Sequence, residues 1–189
     1  MRRRELLAGV GSAGVIAGAG AVAASGVPSV DELLGRESDQ PEPEEPLEVE
    51  TVDAPGSEAG TATVPASDRA TFVDIFGTWC PPCVEQMPAL AEANDRIGDE
   101  VLFISVTSES VGEDGSITRA ELADWWDEHG GDWTIGLDPT AAVTERYLES
   151  GYPSAAAIDA TGRLRWSESG VKTADELVAG IERALEADP

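Results

Sequence analysis

Basic residues are scarce in this sequence, which holds 12 Lys and Arg against 37 Asp and Glu in 189 residues. The formal net charge is therefore −25, and a surface this acidic repels the phosphates of nucleic acids. This balance argues against nucleic-acid binding. Lys172 is the only lysine. An acidic surface almost free of lysine is typical of proteins that stay folded in concentrated salt, so we predict a halophilic protein.

Cysteine and histidine are also few, and Cys80, Cys83 and His129 are the only ones. A structural zinc site needs about four ligands, so these residues would have to recruit carboxylates. A purely structural disulfide across so short a loop would restrict the unfolded chain little. A pair of buried, inert thiols is the third alternative. The C-x-x-C spacing favours redox chemistry over all three, with no metal ligands and no cofactor beyond the cysteine pair.

The first 27 residues are typical of an export signal or a membrane anchor. Arg2, Arg3 and Arg4 precede an almost uncharged stretch from Leu6 to Ala24, about long enough to span a membrane. The arginines followed by leucines resemble a twin-arginine export signal. Both a cleaved signal and an uncleaved anchor remain open. Residues 28–46 are acidic and rich in proline, which predicts an extended linker and favours a membrane-anchored, extracytoplasmic protein over a secreted one.

Residues 47–189 alternate strand-like and helix-like patterns, which predicts a single α/β domain. An N-terminal β-hairpin comes first, and the order after it is β-α-β-α-β-α-β-β-α. The predicted strands are Leu47–Val52, Thr61–Val64, Ala70–Phe76, Val101–Val106, Trp133–Leu137, Ser154–Ile158 and Arg163–Trp166. The predicted helices are Val84–Ile97, Thr118 to the glycines at 130 and 131, Thr140–Glu149 and Ala174–Ala187.

The chemistry lies where the strand Ala70–Phe76 leads into the cysteines. A cysteine at a helix N-terminus meets unpaired N–H groups and the positive end of the helix dipole, both of which favour a thiolate. Cys80 has this position. Cys83 lies one turn along the same face, where its thiol can attack a mixed disulfide formed on Cys80. Pro81 and Pro82 are well tolerated at the first helical positions.

The segment Phe72–Cys83, a buried strand that runs into Trp-Cys-x-x-Cys, resembles the active-site segment of the thioredoxin superfamily. Trp79–Cys83 followed by Met87 and Pro88 resembles the TlpA/ResA branch of membrane-tethered extracytoplasmic disulfide reductases. The resemblance implies a thioredoxin fold: a central mixed sheet flanked by helices, with an N-terminal β-hairpin and an extra helix. It also implies a disulfide reductase for exported proteins such as an apocytochrome c, recharged by a membrane thiol carrier.

Two other functions remain open at this point. One is a disulfide-forming oxidase or isomerase of the same fold, which differs only in the reduction potential of its cysteine pair. The other is a non-enzymatic adaptor or metal-delivery module. The direction of electron flow and the oligomeric state do not follow from the sequence.

The resemblance assigns roles to four more residues. Asp74 matches the buried acid that exchanges a proton near the second cysteine, where the TlpA branch often has Asn; capping of a backbone group is the alternative. Tyr152 and Pro153 match the cis-proline loop that faces the substrate, and an ordinary trans turn is the alternative. Trp79 matches the tryptophan that shields the sulfurs, with simple packing as the alternative.

Two further features of the sequence concern residues outside these roles. Glu85 and Gln86 depart from the branch, which often has an acidic residue at the second of these positions. His129 closes a predicted helix just before two glycines, so we expect it to interact with the helix C-terminus rather than to bind a metal.

Overall fold

The computed structural model describes residues 45–148 and 150–186. Seven strands lie in this part of the chain: β1 Leu47–Thr51, β2 Gly60–Val64, β3 Thr71–Ile75, β4 Leu102–Thr107, β5 Thr134–Leu137, β6 Ser154–Ile158 and β7 Leu164–Ser169. Four α-helices lie there as well: α1 Pro81–Ile97, α2 Arg119–Glu128, α3 Ala142–Tyr147 and α4 Ala174–Leu185. A short 3₁₀ helix, Gly98–Glu100, follows α1.

The strands form one mixed sheet in the order β2-β1-β5-β4-β3-β6-β7. β3, β4 and β5 run parallel, while β6 pairs antiparallel with β3 and β7 with β6. β1 and β2 form the predicted N-terminal hairpin, and β1 joins the sheet antiparallel to β5. The predicted fold class, a central mixed sheet with flanking helices and an added hairpin, is confirmed.

Alternation along β3 divides the core between the two faces of the sheet, because successive side chains of a strand point to opposite faces. Phe72 and Phe76 belong to a cluster that the buried sides of α1, α2 and α4 complete. Val73 and Ile75 belong to a second cluster, to which α3 contributes Val143 and Tyr147. The cysteines therefore approach the sheet from the side of Phe72 and Phe76.

Capping residues decide where the helices begin. Thr118 with Glu121 forms a capping box at α2, as predicted, and Thr173 with Glu176 forms another at α4. α1 begins at Pro81 rather than at Val84, because Cys80 is its N-cap and the two prolines fit the first helical positions.

The ends of α3 and β7 also differ from the prediction. α3 covers Ala142–Tyr147 rather than residues 140–149, because the Asp138 carboxylate accepts hydrogen bonds from the backbone N–H groups of Val143 and Thr144 and sets the start of the helix. β7 runs on to Ser169 rather than ending at Trp166, because it pairs with the whole length of β6.

The predicted signal or anchor, residues 1–27, lies outside the described residues, as do residues 28–44 of the predicted linker. The boundary at residue 47 therefore stays a prediction. Within residues 45–148 and 150–186, no helix is long and apolar enough to cross a lipid bilayer.

Candidate active site

Cys80 and Cys83 form a disulfide at the N-terminus of α1, with their Cα atoms 5.3 Å apart. Cys80 is the N-cap, and its Sγ accepts a hydrogen bond from the Cys83 N–H at 3.3 Å. The first turn of α1 carries no acidic residue, although the protein is strongly acidic. In the reduced state, the N–H groups and the helix dipole at this position favour a thiolate on Cys80.

Both cysteines are almost completely buried, with 2% of Cys80 and 1% of Cys83 exposed. In contrast, Trp79, the residue before Cys80, is 64% exposed. Its ring packs on Tyr152, with the two ring centroids 5.3 Å apart, and it lies so close to Gly77 that a Cβ there would be 2.8 Å from the indole. The two aromatic rings therefore form a surface beside the disulfide.

The Tyr152–Pro153 peptide bond is cis, so the alternative of an ordinary trans turn was wrong. Ser154 pairs with Ile75 across β6 and β3, which places Pro153 beside Phe76, just before the active-site loop. The Pro153 carbonyl accepts a hydrogen bond from the Gly170 N–H at 2.8 Å. The register of the sheet thus brings the cis-proline loop to the same edge as the cysteines.

Asp74 lies on β3 and is 1% exposed. It alternates with Val73 and Ile75, so it points to the side of the sheet where α1 lies. Its Oδ1 accepts a hydrogen bond from the Ser105 hydroxyl, and its Oδ2 is buried without a partner. Burial raises the pKa of Asp74 to about 7, although the Ser105 hydrogen bond lowers it. Within the residues that the structure describes, the Asp74 carboxylate accepts no hydrogen bond from a backbone group, so nothing there supports the capping alternative.

Glu109 follows β4 and is not among the residues to which the sequence assigned a role. Its carboxylate accepts the Thr78 N–H at 2.7 Å and the Thr78 hydroxyl at 2.9 Å. Next to it, Ser108 Oγ shares a 2.7 Å hydrogen bond with Tyr152 Oη. The segment after β4 therefore contacts both the loop before Cys80 and the cis-proline loop. The predicted β-α-β order could have indicated this, because two strands joined by a helix usually run parallel and their carboxyl ends then meet at one edge of the sheet.

Gln86 is buried on α1, one turn beyond Cys83. Its side chain donates to the Lys172 carbonyl at 3.0 Å and accepts the Lys172 N–H at 2.6 Å. Lys172 itself folds back onto the carbonyls of Ser169 and Gly170. An amide suits this position because it supplies one donor and one acceptor, which a carboxylate does not.

His129 caps the C-terminus of α2. Its Nδ1 is 2.7 Å from the Trp125 carbonyl, and its ring stacks on Trp125 at 4.4 Å. The predicted interaction with the helix C-terminus is confirmed. Across the part of the chain that the structure describes, no group of three or more His, Cys, Asp or Glu side chains could hold a metal ion.

Residues 43–185 match the redoxin family model. The chain belongs to the redoxin family. It is 25% identical over 146 residues to the thiol:disulfide interchange protein CycY of Rhizobium leguminosarum bv. viciae, covering 71% of each chain. It is 21% identical over 115 residues to the thiol-disulfide oxidoreductase ResA of Bacillus thuringiensis, covering 61% of this chain and 63% of ResA.

The fold matches that of an exposed lipoprotein thioredoxin of Streptococcus pneumoniae, with a TM-score of 0.57 and 21% identity over 72% of this chain and 98% of the other. The chain spans about a quarter of the length of the chloroplast thioredoxins that it also matches. The predicted resemblance to the thioredoxin superfamily and its ResA-like members is confirmed, and so is a thiol-disulfide oxidoreductase of the thioredoxin fold. Both relatives, CycY and ResA, are named for the exchange of thiols and disulfides.

Proposed function

We propose that this redoxin is a membrane-tethered, extracytoplasmic reductase that transfers two electrons from the Cys80–Cys83 dithiol to disulfides of exported proteins. The observation that carries the proposal is the buried cysteine pair at the N-terminus of α1, beside cis-Pro153 and on the side of the sheet to which Asp74 points. The direction of electron flow, the identity of the substrate and the membrane tether go beyond the family match. Each of these three points needs its own test.

Cys80 is the nucleophile in this mechanism. Its thiolate, favoured by the Cys83 N–H and the helix dipole, attacks one sulfur of the substrate disulfide, and the other sulfur leaves as a thiolate. A mixed disulfide then joins Cys80 to the substrate. Cys83 loses its proton to Asp74 and attacks Cys80 Sγ, which forms the Cys80–Cys83 bond and releases the second substrate thiolate. Both substrate thiolates take up protons, so the substrate gains two electrons and the enzyme loses two.

A carboxyl with a pKa near neutrality is suited to this proton exchange, because it accepts a proton and returns it over the same pH range. Burial raises the pKa of Asp74 to about 7. The acid therefore serves as base when Cys83 attacks, and as acid when the enzyme disulfide is reduced again.

In this proposal the substrate binds to the surface around the cysteines. An extended substrate segment would lie along the loop of Tyr152 and Pro153, as strands and extended peptides pair with exposed backbone. The exposed ring of Trp79, packed on Tyr152, offers an apolar contact next to the reacting sulfur. Apocytochrome c, with its cysteine pair, is a substrate of suitable chemistry, and a membrane thiol carrier would supply electrons.

The location of the protein is part of the proposal. The three N-terminal arginines, the uncharged stretch after them and the acidic linker support export and tethering. The pneumococcal neighbour is described as an exposed lipoprotein. Cell fractionation of the full chain should place it with the membrane, accessible to added protease from outside; recovery in the cytosol would contradict the proposal.

The net charge of −25 supports the proposal that the protein is adapted to salt. Self-repulsion destabilises the folded state, and salt screens it, with a Debye length of about 3 Å at 1 M. The free energy of unfolding should therefore rise between dilute and molar NaCl. A value that stays constant over that range would contradict a halophilic protein.

The reduction potential of the Cys80–Cys83 couple tests the direction of electron flow. We expect about −270 mV, the value of thioredoxin, by equilibration of the full chain with a glutathione or dithiothreitol buffer in concentrated salt. A value near about −120 mV would make the protein a disulfide-forming oxidase instead. A Cys83→Ser variant is the matched control, since it cannot form the internal disulfide. Retention of activity after alkylation of Cys80 would favour the adaptor function.

A further inference from the structure

Three buried polar side chains form a continuous series of hydrogen bonds on the side of the sheet where the cysteine pair lies. The Trp133 indole N–H donates to Ser105 Oγ at 2.7 Å, and Ser105 Oγ donates to Asp74 Oδ1. None of the three residues is more than 3% exposed. Ser105 faces Asp74 across β4 and β3, and Trp133 comes just before β5, the next strand.

The direction of these hydrogen bonds is fixed by chemistry. An indole N–H can only donate, so Ser105 Oγ is the acceptor from Trp133. The serine hydroxyl has one hydrogen, and its other neighbour, Asp74 Oδ1, has a lone pair to accept it. Trp133 therefore commits the single hydroxyl hydrogen of Ser105 to Asp74.

The two oxygens of Asp74 are made unequal by this arrangement. Oδ1 is occupied by the serine hydrogen, whereas Oδ2 is buried without a partner. Among the side chains that the structure describes, it is the only buried nitrogen or oxygen in that condition. A proton bound by Asp74 consequently resides on Oδ2.

The Trp133 indole, which is the first donor in this series of hydrogen bonds, is fixed by packing. Its ring makes edge-on contacts with Phe103 and Trp126, at centroid distances of 5.6 and 4.8 Å. Trp126 is itself fixed, since its own N–H donates to the Pro55 carbonyl at 3.2 Å. The direction of the Trp133 N–H is therefore set by packing before any substrate binds.

We propose that Ser105 and Trp133 are positioning residues for proton transfer at the cysteine pair, because together they hold the Asp74 carboxyl so that Oδ2 takes the proton of Cys83 and gives it back. The inference rests on the proposed function, in which Asp74 is the base. In the step concerned, the Cys83 S–H proton moves to Asp74 Oδ2, the Cys83–Cys80 bond forms, and the bond from Cys80 to the substrate sulfur breaks. The substrate sulfur leaves with the electron pair of that bond.

Among the residues that the structure describes, burial and the Ser105 hydrogen bond shift the pKa of Asp74, and no charged group contributes to the shift. Ser105 faces it from β4 and Ala155 from β6. The buried residues of α2 and α4 are uncharged, and those of α1 are uncharged apart from Cys83, which can titrate. Cys80, the N-cap of α1, is buried in the same cluster and can also titrate. A change in pH dependence can therefore be assigned to the three hydrogen-bonded residues and the cysteines.

The test uses the reduced full chain and an aromatic disulfide, dithiobis(nitrobenzoate). The first coloured thiolate leaves when Cys80 attacks, and the second leaves when Cys83 resolves the mixed disulfide. We expect the rate of the second release to rise through an inflection near pH 7 in the unchanged protein, where Asp74 ionises. In Ser105→Ala the carboxylate loses a hydrogen bond, so the inflection should move upward by about one pH unit.

Two further variants separate positioning from a general loss of structure. Ser105→Thr keeps the hydroxyl and should bring the inflection back to within about 0.3 pH units of the unchanged protein. Trp133→Phe keeps an aromatic ring but frees the serine hydroxyl to rotate, and it should move the inflection upward by less than Ser105→Ala. If Ser105→Ala does not fold, the Trp133→Phe and Ser105→Thr profiles still test the proposal.

Asp74→Asn distinguishes failure of this inference from failure of the proposed function. Loss of the inflection in Asp74→Asn, together with the upward shift in Ser105→Ala, supports both. Loss of the inflection in Asp74→Asn but an unmoved inflection in Ser105→Ala and Trp133→Phe overturns the positioning role and leaves Asp74 as the base. An inflection that survives in Asp74→Asn overturns the base itself, and the positioning role with it.

Discussion

At the scale of single residues, Glu109 shows how one side chain ties distant segments together. Its two carboxylate oxygens accept both donors of Thr78, 31 residues away in the chain. Thr78 lies two residues before Cys80, inside the loop that leads from β3 into α1. Hydrogen bonds to an ionised acceptor are stronger than those between neutral groups, so this contact helps to fix the loop before the cysteine.

Replacement of Glu109 tests this contact. Glu109→Ala removes both acceptors and should lower the free energy of unfolding of the oxidised protein by about 1–3 kcal/mol. Glu109→Gln keeps one acceptor oxygen and should lose about half as much. Urea unfolding at constant salt measures both.

Thr78→Val is the matched control for Glu109, because it removes the hydroxyl and keeps the backbone N–H. It should lose less free energy of unfolding than Glu109→Ala. A Glu109→Ala protein within about 0.5 kcal/mol of the unchanged protein would show that the contact contributes no stability.

At the scale of elements, α1 is fastened to the segment between β7 and α4. Gln86 makes two hydrogen bonds with the backbone of Lys172, one as donor and one as acceptor. The same segment reaches the cis-proline loop, because Gly170 donates to the Pro153 carbonyl. The helix that carries the cysteines and the loop beside them are therefore held by one connection.

Gln86→Leu tests this connection. The substitution has similar volume but removes both hydrogen bonds to the backbone of the half-buried Lys172, and each lost hydrogen bond costs about 0.5–1.5 kcal/mol. We expect a clear decrease in the free energy of unfolding of the oxidised protein, measured with urea.

Gln86→Glu is the sharper comparison. An ionised carboxylate still accepts the Lys172 N–H but cannot donate to the carbonyl, whereas a protonated one can do both. The deficit in stability relative to the unchanged protein should therefore be largest at pH 8 and shrink toward pH 4. A deficit that does not depend on pH would contradict the reciprocal pairing.

At the scale of the whole molecule, the pH dependence of stability has one dominant buried group. The pKa of Asp74 rises from 3.8 to about 7 on folding, chiefly because burial penalises the charged form. Below about pH 4, Asp74 is protonated in both the folded and the unfolded state, so its ionisation does not lower the free energy of unfolding. Between about pH 4 and 7 the unfolded state ionises first, so the folded state loses stability as the pH rises. The total cost is about 4 kcal/mol.

Asp74→Asn should remove this cost. Urea unfolding of the oxidised proteins should give nearly equal free energies at pH 4, and the variant should be more stable by several kcal/mol at pH 8. All other carboxylates are shared by the two proteins, so their contributions cancel in the difference. A difference that stays constant from pH 4 to 8 would mean that Asp74 keeps its ordinary pKa in the folded protein.

The sequence by itself determined the strand and helix order, the redox motif and the capping box at Thr118. These features depend on neighbouring residues: a run of β-branched and aromatic residues along β3, prolines after Cys80, and a threonine three residues before Glu121. The order of the strands within the sheet and the ends of two elements, α3 and β7, show the limit. Their bounds depend on Asp138 and on pairing with β6, which no local pattern contains.

Only the tertiary structure decided the surroundings of the cysteines. The position of Asp74 was predicted, but its partners Ser105 and Trp133 lie on other strands or next to them, and their contact depends on register across the sheet. In the sequence, Glu109 is only a residue between two elements, and Gln86 is only a residue of a helix. Their contacts form once β4 and the segment between β7 and α4 have taken their positions. The reason is physical: hydrogen bonds between distant segments form only after the core has fixed the strands, so the sequence alone names the reacting groups but not the groups that hold them.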